Sequence, residues 1–199
     1  MTDPRSLIEE IKRDLNPVEQ EIRSHPYLAD LETGRVGRER LRLFAGEQFH
    51  IIRSDLRSVA LLVNRFGATP SGPFFQGVLA GESAALEALH IFARAVGMDE
   101  TMLHANEPAP GAQAYPAYMA WLALYGSDAE VAAGFLVNFA AWGANCGRMS
   151  QALRARYGLT AKECAFFDLF AAPPPEFDAL ALAVVEGGLA RGVDPRLIK

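Results

Sequence analysis

The sequence predicts an all-α protein, a bundle of seven or eight helices in one domain. Apolar residues recur at helical spacing along most of the 199 residues, and no segment shows the alternation of a half-buried strand. Proline, glycine and capping residues interrupt this pattern at intervals typical of helices. Half of the residues are hydrophobic, so a chain of this length can bury one core. We therefore expect residues 1–199 to form a single domain.

The predicted helices follow from these interruptions. Asn16 before Pro17 is typical of an N-cap followed by the first helical residue, so we expect a helix boundary there. Gly67 and Gly97 are expected to end two long helices. Two prolines and a glycine make residues 99–113 a connecting loop with at most one helical turn. The helices are expected over 4–15, 17–32, 37–66, 73–97, 114–125 and 128–156, from the Thr160 cap to about residue 170, and over 176–190.

Charge and composition argue against several classes of protein. The formal net charge is −5, the pI is about 5.4, and no run of four basic residues occurs, so a nucleic-acid binder is not expected. Cys146 and Cys164 are too few for a disulfide framework, and Cys146 is expected in the core. The N-terminus lacks the apolar segment of a signal peptide, and the most apolar run, 131–144, is too short to cross a bilayer. We therefore predict a cytoplasmic protein that binds neither nucleic acid nor membranes.

Two Glu-x-x-His pairs raise the question of a metal centre. Glu47 and His50 form the first pair, and Glu87 and His90 form the second. A spacing of three places both side chains on one face of a helix. Helical bundles use this motif, together with glutamates from two further helices, to hold two irons. The pairs therefore indicate iron if the rest of the chain supplies the other ligands.

Helical phase and the other ligand positions count against iron. Glu82 lies in the middle of the apolar face of the helix 73–97, and Glu87 lies about 140° from it, so Glu87 is expected to be exposed. No histidine follows His104, and Asn145 stands where a later carboxylate ligand is expected. Because amides are poor iron ligands, we favour hydrogen-bonded side chains without a metal. The alternative iron site consists of Glu47, Glu87 and His90.

The helix predicted over 128–156 carries a stripe of amide and aromatic side chains. Asn138, Trp142, Asn145 and Met149 recur at spacings of four, three and four, which places them on one face. Amides can orient a heterocycle and an aromatic ring can stack on it, so the stripe could line a pocket for a small molecule. The same stripe could instead pack in the core, with its amides bonded to neighbouring backbone.

Four segments share their order and spacing with a known family. The first is SHPYLADLETGRVGRERLRLFAGEQFHII, the second is the Glu87–His90 stretch ending at Gly97, and the third is AYPAYMAWL. The fourth is EVAAGFLVNFAAWGANCGRMSQAL, within a resemblance that spans about residues 20–190. Together they resemble the TenA (thiaminase II) and PqqC family. That resemblance implies the haem-oxygenase-like helical fold.

The resemblance also shows departures from thiaminase II. That activity, hydrolysis of an aminopyrimidine, would use a cysteine nucleophile, a pyrimidine-binding aspartate, tyrosines and a C-terminal glutamate. Phe139 falls at the nucleophile, Gln48 at the aspartate and Ile51 at a neighbouring tyrosine, whereas Tyr115 is kept. The helix with the glutamate is expected to be missing, since the chain ends at RGVDPRLIK. Because Phe139 offers no thiolate, we expect no thiaminase activity.

The leading hypothesis is a TenA/PqqC-like protein whose central pocket binds a small heteroaromatic molecule, as a diverged hydrolase or oxidoreductase. One alternative is an iron-dependent oxidase with Glu47, Glu87 and His90 as catalytic candidates. Another is a non-catalytic regulator or partner-binding protein, since TenA-like proteins are often labelled transcriptional regulators. Haem binding would use His25, which we instead expect at a helix end, and the family implies a homodimer or homotetramer. The expected ligand-binding residues are Gln48, Tyr115, Asn138, Phe139, Trp142 and Asn145, with the Glu87–His90 pair at the pocket wall.

Overall fold

The computed structural model describes residues 2–199, and this part of the chain contains ten α-helices and no strand. This confirms the predicted all-α class. The helices are α1 (Pro4–Arg23), α2 (Pro26–Glu32), α3 (Arg38–Phe66), α4 (Gly72–Ala95), α5 (Glu100–Ala105), α6 (Pro110–Tyr125), α7 (Asp128–Tyr157), α8 (Ala165–Ala171), α9 (Phe177–Ala190) and α10 (Pro195–Ile198).

The ends of the long helices follow local signals. Ser127 and Glu130 form a capping box at the start of α7, which satisfies backbone N–H groups that have no partner within the helix. At the other end Gly158 has a φ of 71°, a left-handed conformation that glycine adopts without strain. α3 ends at Gly67 as predicted, and Gly97 follows α4 with a φ of 85°.

The predicted boundary at Asn16 and Pro17 is wrong, because α1 continues through Pro17. Pro17 lies on the exposed face of α1. Because proline has no N–H, one carbonyl group of the preceding turn lacks its helical donor, and water can donate to it there. The chain breaks instead before Pro26, the first residue of α2. His25 caps α2, and its Nδ1 accepts a hydrogen bond from the backbone N–H of Tyr27 at 3.2 Å. His25 is therefore a helix-end residue, as expected.

Two short helices were not predicted. Residues 99–113 contain the six-residue α5, which is longer than the single turn expected, and α6 begins at Pro110 rather than at residue 114. Asp99 caps α5 by accepting from the N–H of Met102, and burial of Leu103 secures the helix. α10 follows the same principle, with an aspartate cap and a buried Ile198.

The core consists of two hydrophobic clusters between the layers of the bundle. α3 packs against α4 and α6, while α7 packs against α1, α2, α8 and α9. Phe49, Phe92 and Phe167 belong to the first cluster, and Phe75 belongs to the second. Side chains of α3, α4, α6, α7 and α8 meet between these clusters, and there they line the cavity described below.

Within residues 2–199, none of the helices is both long enough and apolar enough to cross a bilayer.

Candidate functional site

A small cavity of about 180 Å³ lies where α3, α4, α6, α7 and α8 meet. We call it the carboxyl cavity, because two buried acidic side chains, Asp55 and Glu82, face it. α3 supplies four of its lining residues, α7 supplies three, and α4, α6 and α8 supply one each. These residues are Gln48, Ile51, Ile52, Asp55, Glu82, Tyr115, Asn138, Phe139, Trp142 and Phe170.

Helical register places both carboxyl groups inside. Asp55 lies two turns after Gln48 and on the same face of α3, and this face continues to the buried Val59 and Leu62. Glu82 lies between Val78 and the next buried turn of α4, in the middle of its apolar face. Packing of the apolar neighbours therefore carries the two acids into the interior.

The two acids are almost wholly removed from solvent. Asp55 is 5% exposed and Glu82 is 6% exposed. Asp55 Oδ1 is buried without a hydrogen-bond partner, and no Lys, Arg or His is found among the residues that line the cavity. Burying a charge without a counter-charge is costly, so the neutral acids are favoured.

This environment raises the pKa of both carboxyl groups. Burial raises the pKa of Asp55 to about 7, although the Tyr115 hydroxyl, as a hydrogen-bond donor, offsets part of the rise. Burial, and then the negative charge of Asp55, raises the pKa of Glu82 to about 8. Burial together with the two acids raises the pKa of Tyr115 well above its ordinary value. The pair therefore keeps at least one proton near neutral pH.

Aromatic rings form the opposite side of the carboxyl cavity. Phe170 lies edge-to-face against Phe139, with ring centroids 6.1 Å apart, and against Trp142 at 5.8 Å. Gly143 permits this close packing, because a Cβ there would stand 2.6 Å from the backbone oxygen of Phe170. A flat ring could thus lie against aromatic faces while its edge meets the acids.

This arrangement can bind and exchange protons. An ionised Asp55 accepts hydrogen bonds, a protonated Glu82 donates one, and pKa values near the working pH are those that suit general acid–base catalysis. Perturbed acids in a concave pocket are also a recognised mark of a functional site.

The structure brings most of the predicted ligand-binding residues together. Gln48, Tyr115, Asn138, Phe139 and Trp142 all line the carboxyl cavity.

Asn145 is the exception and requires a correction. It shares the face of Asn138 but lies seven residues further along α7, about 10 Å at the helical rise. The C-terminal end of α1 covers it there, and its Nδ2 donates to the carbonyl oxygen of Ile22 at 3.3 Å. Asn145 Oδ1 is buried without a partner.

The first Glu-x-x-His pair fastens the segment after α5 to α3. Glu47 accepts hydrogen bonds from Asn106 Nδ2 at 3.3 Å and from the N–H of Ala109 at 2.9 Å. His50 Nε2 donates to the carbonyl oxygen of Asn106 at 2.6 Å. Neither side chain lines the carboxyl cavity.

The second pair does not form the wall of the carboxyl cavity, contrary to the prediction. Glu87 is exposed, and His90 lies edge-to-face on the ring of Phe49 with centroids 5.7 Å apart. Glu87 lies about 140° around α4 from Glu82, and His90 lies two turns further along the helix than Glu82, about 12 Å at the helical rise. Among residues 2–199 no three His, Cys, Asp or Glu side chains are grouped so that they could hold a metal, so Glu47, Glu87 and His90 do not converge.

The two central acids, Asp55 and Glu82, were not predicted as site residues. The position of Glu82 within an apolar face was the available signal, because a glutamate rarely occupies such a place without a partner or a function. Asp55 carried a similar signal, since it shares a face with Gln48.

A larger surface groove of about 340 Å³ runs between α1, α6, α7 and α10. Its lining includes the exposed side chains of Leu15, Val18 and Tyr118 and surface charges such as Lys12 and Glu130. In the described part of the chain it contains no buried titratable group. The smaller carboxyl cavity is therefore the better candidate for chemistry.

Comparison with known proteins points in one direction. The model of the TENA/THI-4/PQQC family matches residues 12–168. A TenA homologue from P. horikoshii OT3 superposes with a TM-score of 0.74 at 15% identity, covering 96% of this chain and 91% of that one. A TenA homologue from Pseudomonas syringae pv. tomato DC3000 superposes with a TM-score of 0.74 at 14% identity, covering 96% of this chain and 82% of that one. A domain of unknown function with a heme oxygenase-like fold, from Shewanella denitrificans, superposes with a TM-score of 0.68 at 15% identity, covering 96% of this chain and 89% of that one. No curated protein sequence matches the chain significantly.

Proposed function

Because the chain belongs to the TENA/THI-4/PQQC family, we propose that it binds a small heteroaromatic molecule in the carboxyl cavity and acts on it by proton transfer. The observation that carries this proposal is the buried pair of Asp55 and Glu82, which faces aromatic rings without any basic residue in the cavity lining. In this role the protein is a diverged enzyme that uses acid–base chemistry.

The chemistry of the pair selects a class of ligand. A ring nitrogen beside an exocyclic amino group offers one acceptor and one donor on adjacent atoms. The amino group can donate to an ionised Asp55, and the ring nitrogen can accept from a protonated Glu82. Phe139 and Trp142 supply apolar contact to the ring faces, and Gln48 supplies a further amide. Aminopyrimidines have this pattern of acceptor and donor.

A thiolate mechanism has no support in this cavity. Phe139 occupies the position where the family resemblance places the nucleophilic cysteine, and no cysteine is among the described lining residues. Cys146 and Cys164 are buried in the first core cluster. Burial raises the pKa of both thiols, which disfavours the reactive thiolate.

Binding of 4-aminopyrimidine at pH 7, measured by isothermal titration calorimetry, tests the proposal. Asp55→Asn is expected to raise the Kd about tenfold, because the amide still accepts a hydrogen bond but lacks the charge of the carboxylate. Glu82→Met, which cannot donate a hydrogen bond, is expected to raise the Kd about 3- to 10-fold. Glu87→Met is the matched control, because Glu87 is exposed on the same helix as Glu82 and lies outside the cavity. Binding that all three variants retain, or no binding to the wild-type protein, would contradict the proposal.

The other functions considered remain weaker. Among residues 2–199, no grouping of His, Cys, Asp and Glu side chains favours an iron-dependent oxidase. One structural relative, at 13% identity, is a TenA family transcription regulator from Silicibacter sp. TM1040. A regulatory role here would require a partner surface, and the net charge of −5 offers little attraction for nucleic acid. A cytoplasmic location stays a prediction.

Self-association as a homodimer or homotetramer also stays a prediction. Tyr118, Trp121 and Tyr125 form an exposed row on α6, with successive ring centroids 5.9 Å apart. Exposed aromatic rows of this kind are typical of protein interfaces. Light scattering is expected to give two or four times the chain mass of 21.6 kDa, and Trp121→Glu is expected to reduce it. A monomeric wild-type mass would contradict this prediction.

A further inference from the structure

A second cavity, of about 350 Å³, adjoins the carboxyl cavity. We call it the apolar chamber; it lies between α4, the end of α8, the segment Ala172–Glu176 and the start of α9. Its lining is almost entirely apolar, and Glu82 and Glu176 are the two acidic side chains among the described residues around it. Val78, Leu169, Pro174, Phe177 and Leu180 are representative of this lining.

The two cavities share part of their walls. Glu82, Phe139 and Phe170 line both of them, so one glutamate faces polar space on one side and apolar space on the other. The edge-to-face pair of Phe139 and Phe170 forms the partition. A partition made of two side chains, rather than of backbone, can open by rotation about side-chain bonds.

α4 leaves the chamber wall open. Gly77 and Gly81, both exposed, lie one turn apart on the face of α4 that forms the open side of the chamber, and a Cβ at either position would meet no heavy atom within 4 Å. Glycine in the middle of a helix costs about 1 kcal/mol relative to alanine, so packing does not explain why two glycines stand there. Their effect is to keep space free along the helix.

The opposite wall is rigid and its rim is apolar. Pro173, Pro174 and Pro175 have little conformational freedom, so the segment that they form holds its shape. Leu169 and Leu180 are exposed although they line the chamber. An apolar space with a rigid wall and an accessible rim suits an alkyl chain better than a polar molecule.

We propose that the ligand has two parts, an amino-heteroaromatic head in the carboxyl cavity and an alkyl tail in the apolar chamber. This inference rests on the proposed function for the head and adds the tail. The acidic pair disfavours an anionic head, so the ligand class is a basic or neutral nitrogen heterocycle that carries an alkyl chain. The tail passes between Phe139 and Phe170, beside Glu82.

A series of 2-alkyl-4-aminopyrimidines with methyl, butyl and heptyl chains tests the tail. In the wild-type protein each added methylene is expected to strengthen binding about three- to fourfold until the chamber is filled. Gly81→Leu places a side chain in the chamber, and it is expected to hold the butyl and heptyl compounds at the affinity of the methyl compound. The variant should fold, because leucine is a better helix former than glycine.

Gly111→Leu is the matched control, since Gly111 lies on α6, outside both cavities, and its Cβ position is also open. This control should keep the full dependence on chain length. The methyl compound could bind while longer chains bring no gain in affinity in the wild-type protein, or Gly81→Leu could keep the wild-type gain in affinity. Either result would refute the binding of an alkyl tail in the apolar chamber and leave the proposed function standing. If Asp55→Asn and Glu82→Met leave the binding of every compound unchanged, the proposed head site fails instead. No binding of any compound overturns both.

Discussion

Glu82→Gln is expected to be more stable than the wild-type protein by about 2–4 kcal/mol at pH 8, with no gain at about pH 4.5. Burial, and then the charge of Asp55, keeps Glu82 protonated in the native protein up to a pKa of about 8, whereas the ordinary value is 4.5. The unfolded chain has lost this proton at any pH well above 4.5. Folding therefore takes up a proton within this window.

The direction of the pH dependence follows. Since the native protein binds more protons than the unfolded chain, the free energy of unfolding of the wild-type protein falls as the pH rises from about 4.5 to about 8, by up to about 1.4 kcal/mol per pH unit. Glutamine has the shape of the protonated acid and loses no proton. The expected gain at pH 8 is smaller than this slope multiplied by the width of the pH window. The slope flattens near each pKa, and water and protein dipoles partly solvate a buried carboxylate. Asp55, whose pKa is about 7, leaves a similar dependence at lower pH in both proteins.

Urea unfolding of both proteins at several pH values measures this difference. Glu87→Gln, the same change at an exposed site of the same helix, should run parallel to the wild-type protein at every pH. A constant difference between Glu82→Gln and the wild-type protein across the pH range would show that Glu82 is ionised in the native state. That outcome would contradict the protonation assigned to the carboxyl cavity.

Asp128→Ala is expected to lower the free energy of unfolding by about 3 kcal/mol at pH 7. The Asp128 side chain is 5% exposed and accepts two hydrogen bonds from Nη2 of Arg191, at 2.7 and 2.6 Å. It also accepts a hydrogen bond from the hydroxyl of Ser71. These contacts join the residue before α4, the first turn of α7 and the end of α9. Arg191 is half-exposed and can be hydrated once its partner is gone, which keeps the loss at the lower end for a buried pair.

Asp30→Ala is the matched control for Asp128→Ala. Asp30 also accepts two hydrogen bonds from one arginine, Arg35, at 3.0 and 2.8 Å, but its side chain is 47% exposed. The expected loss is below about 1 kcal/mol, because surface ion pairs contribute little. Equal losses for the two variants, measured by chemical denaturation, would refute the role of burial at Asp128.

The carboxyl cavity departs from the rule that buried acids are paired with a cation. Asp128 follows that rule, whereas Asp55 and Glu82 line one cavity that has no Lys, Arg or His among its lining residues. Such a pair is expected to weaken the fold at neutral pH, which fits a role in binding or chemistry. The contrast between the two acidic sites within one protein supports the functional role of the cavity.

Much of the fold could be predicted because helix signals are local. Gly67 and the box of Ser127 and Glu130 act on their own backbone, so α3 and α7 lie within one or two residues of their predicted bounds. The resemblance to the TenA/PqqC family is likewise confirmed over residues 12–168. Pro17 misled the prediction because its effect depends on exposure, which its neighbours in sequence do not reveal.

The site could be predicted only in part. Asn138, Phe139 and Trp142 share one helix, so their common face follows from the helical period, and the structure places them on one cavity. Asn145 shares that face too, yet α1 covers it, and the sequence of α7 contains no information about α1. Glu82 was visible as an acid on an apolar face, but its partner was not.

By itself, the sequence determined the helical class, most helix bounds and the family. Tertiary structure alone decided that Asp55 of α3 and Glu82 of α4 share one cavity, and that an apolar chamber adjoins it. The physical reason is that periodicity fixes which side chains share a face of one helix, whereas the pKa of a carboxyl group depends on what other helices bring against that face. The Glu-x-x-His pairs were conspicuous in the sequence, but packing gave the buried environment to two other acids.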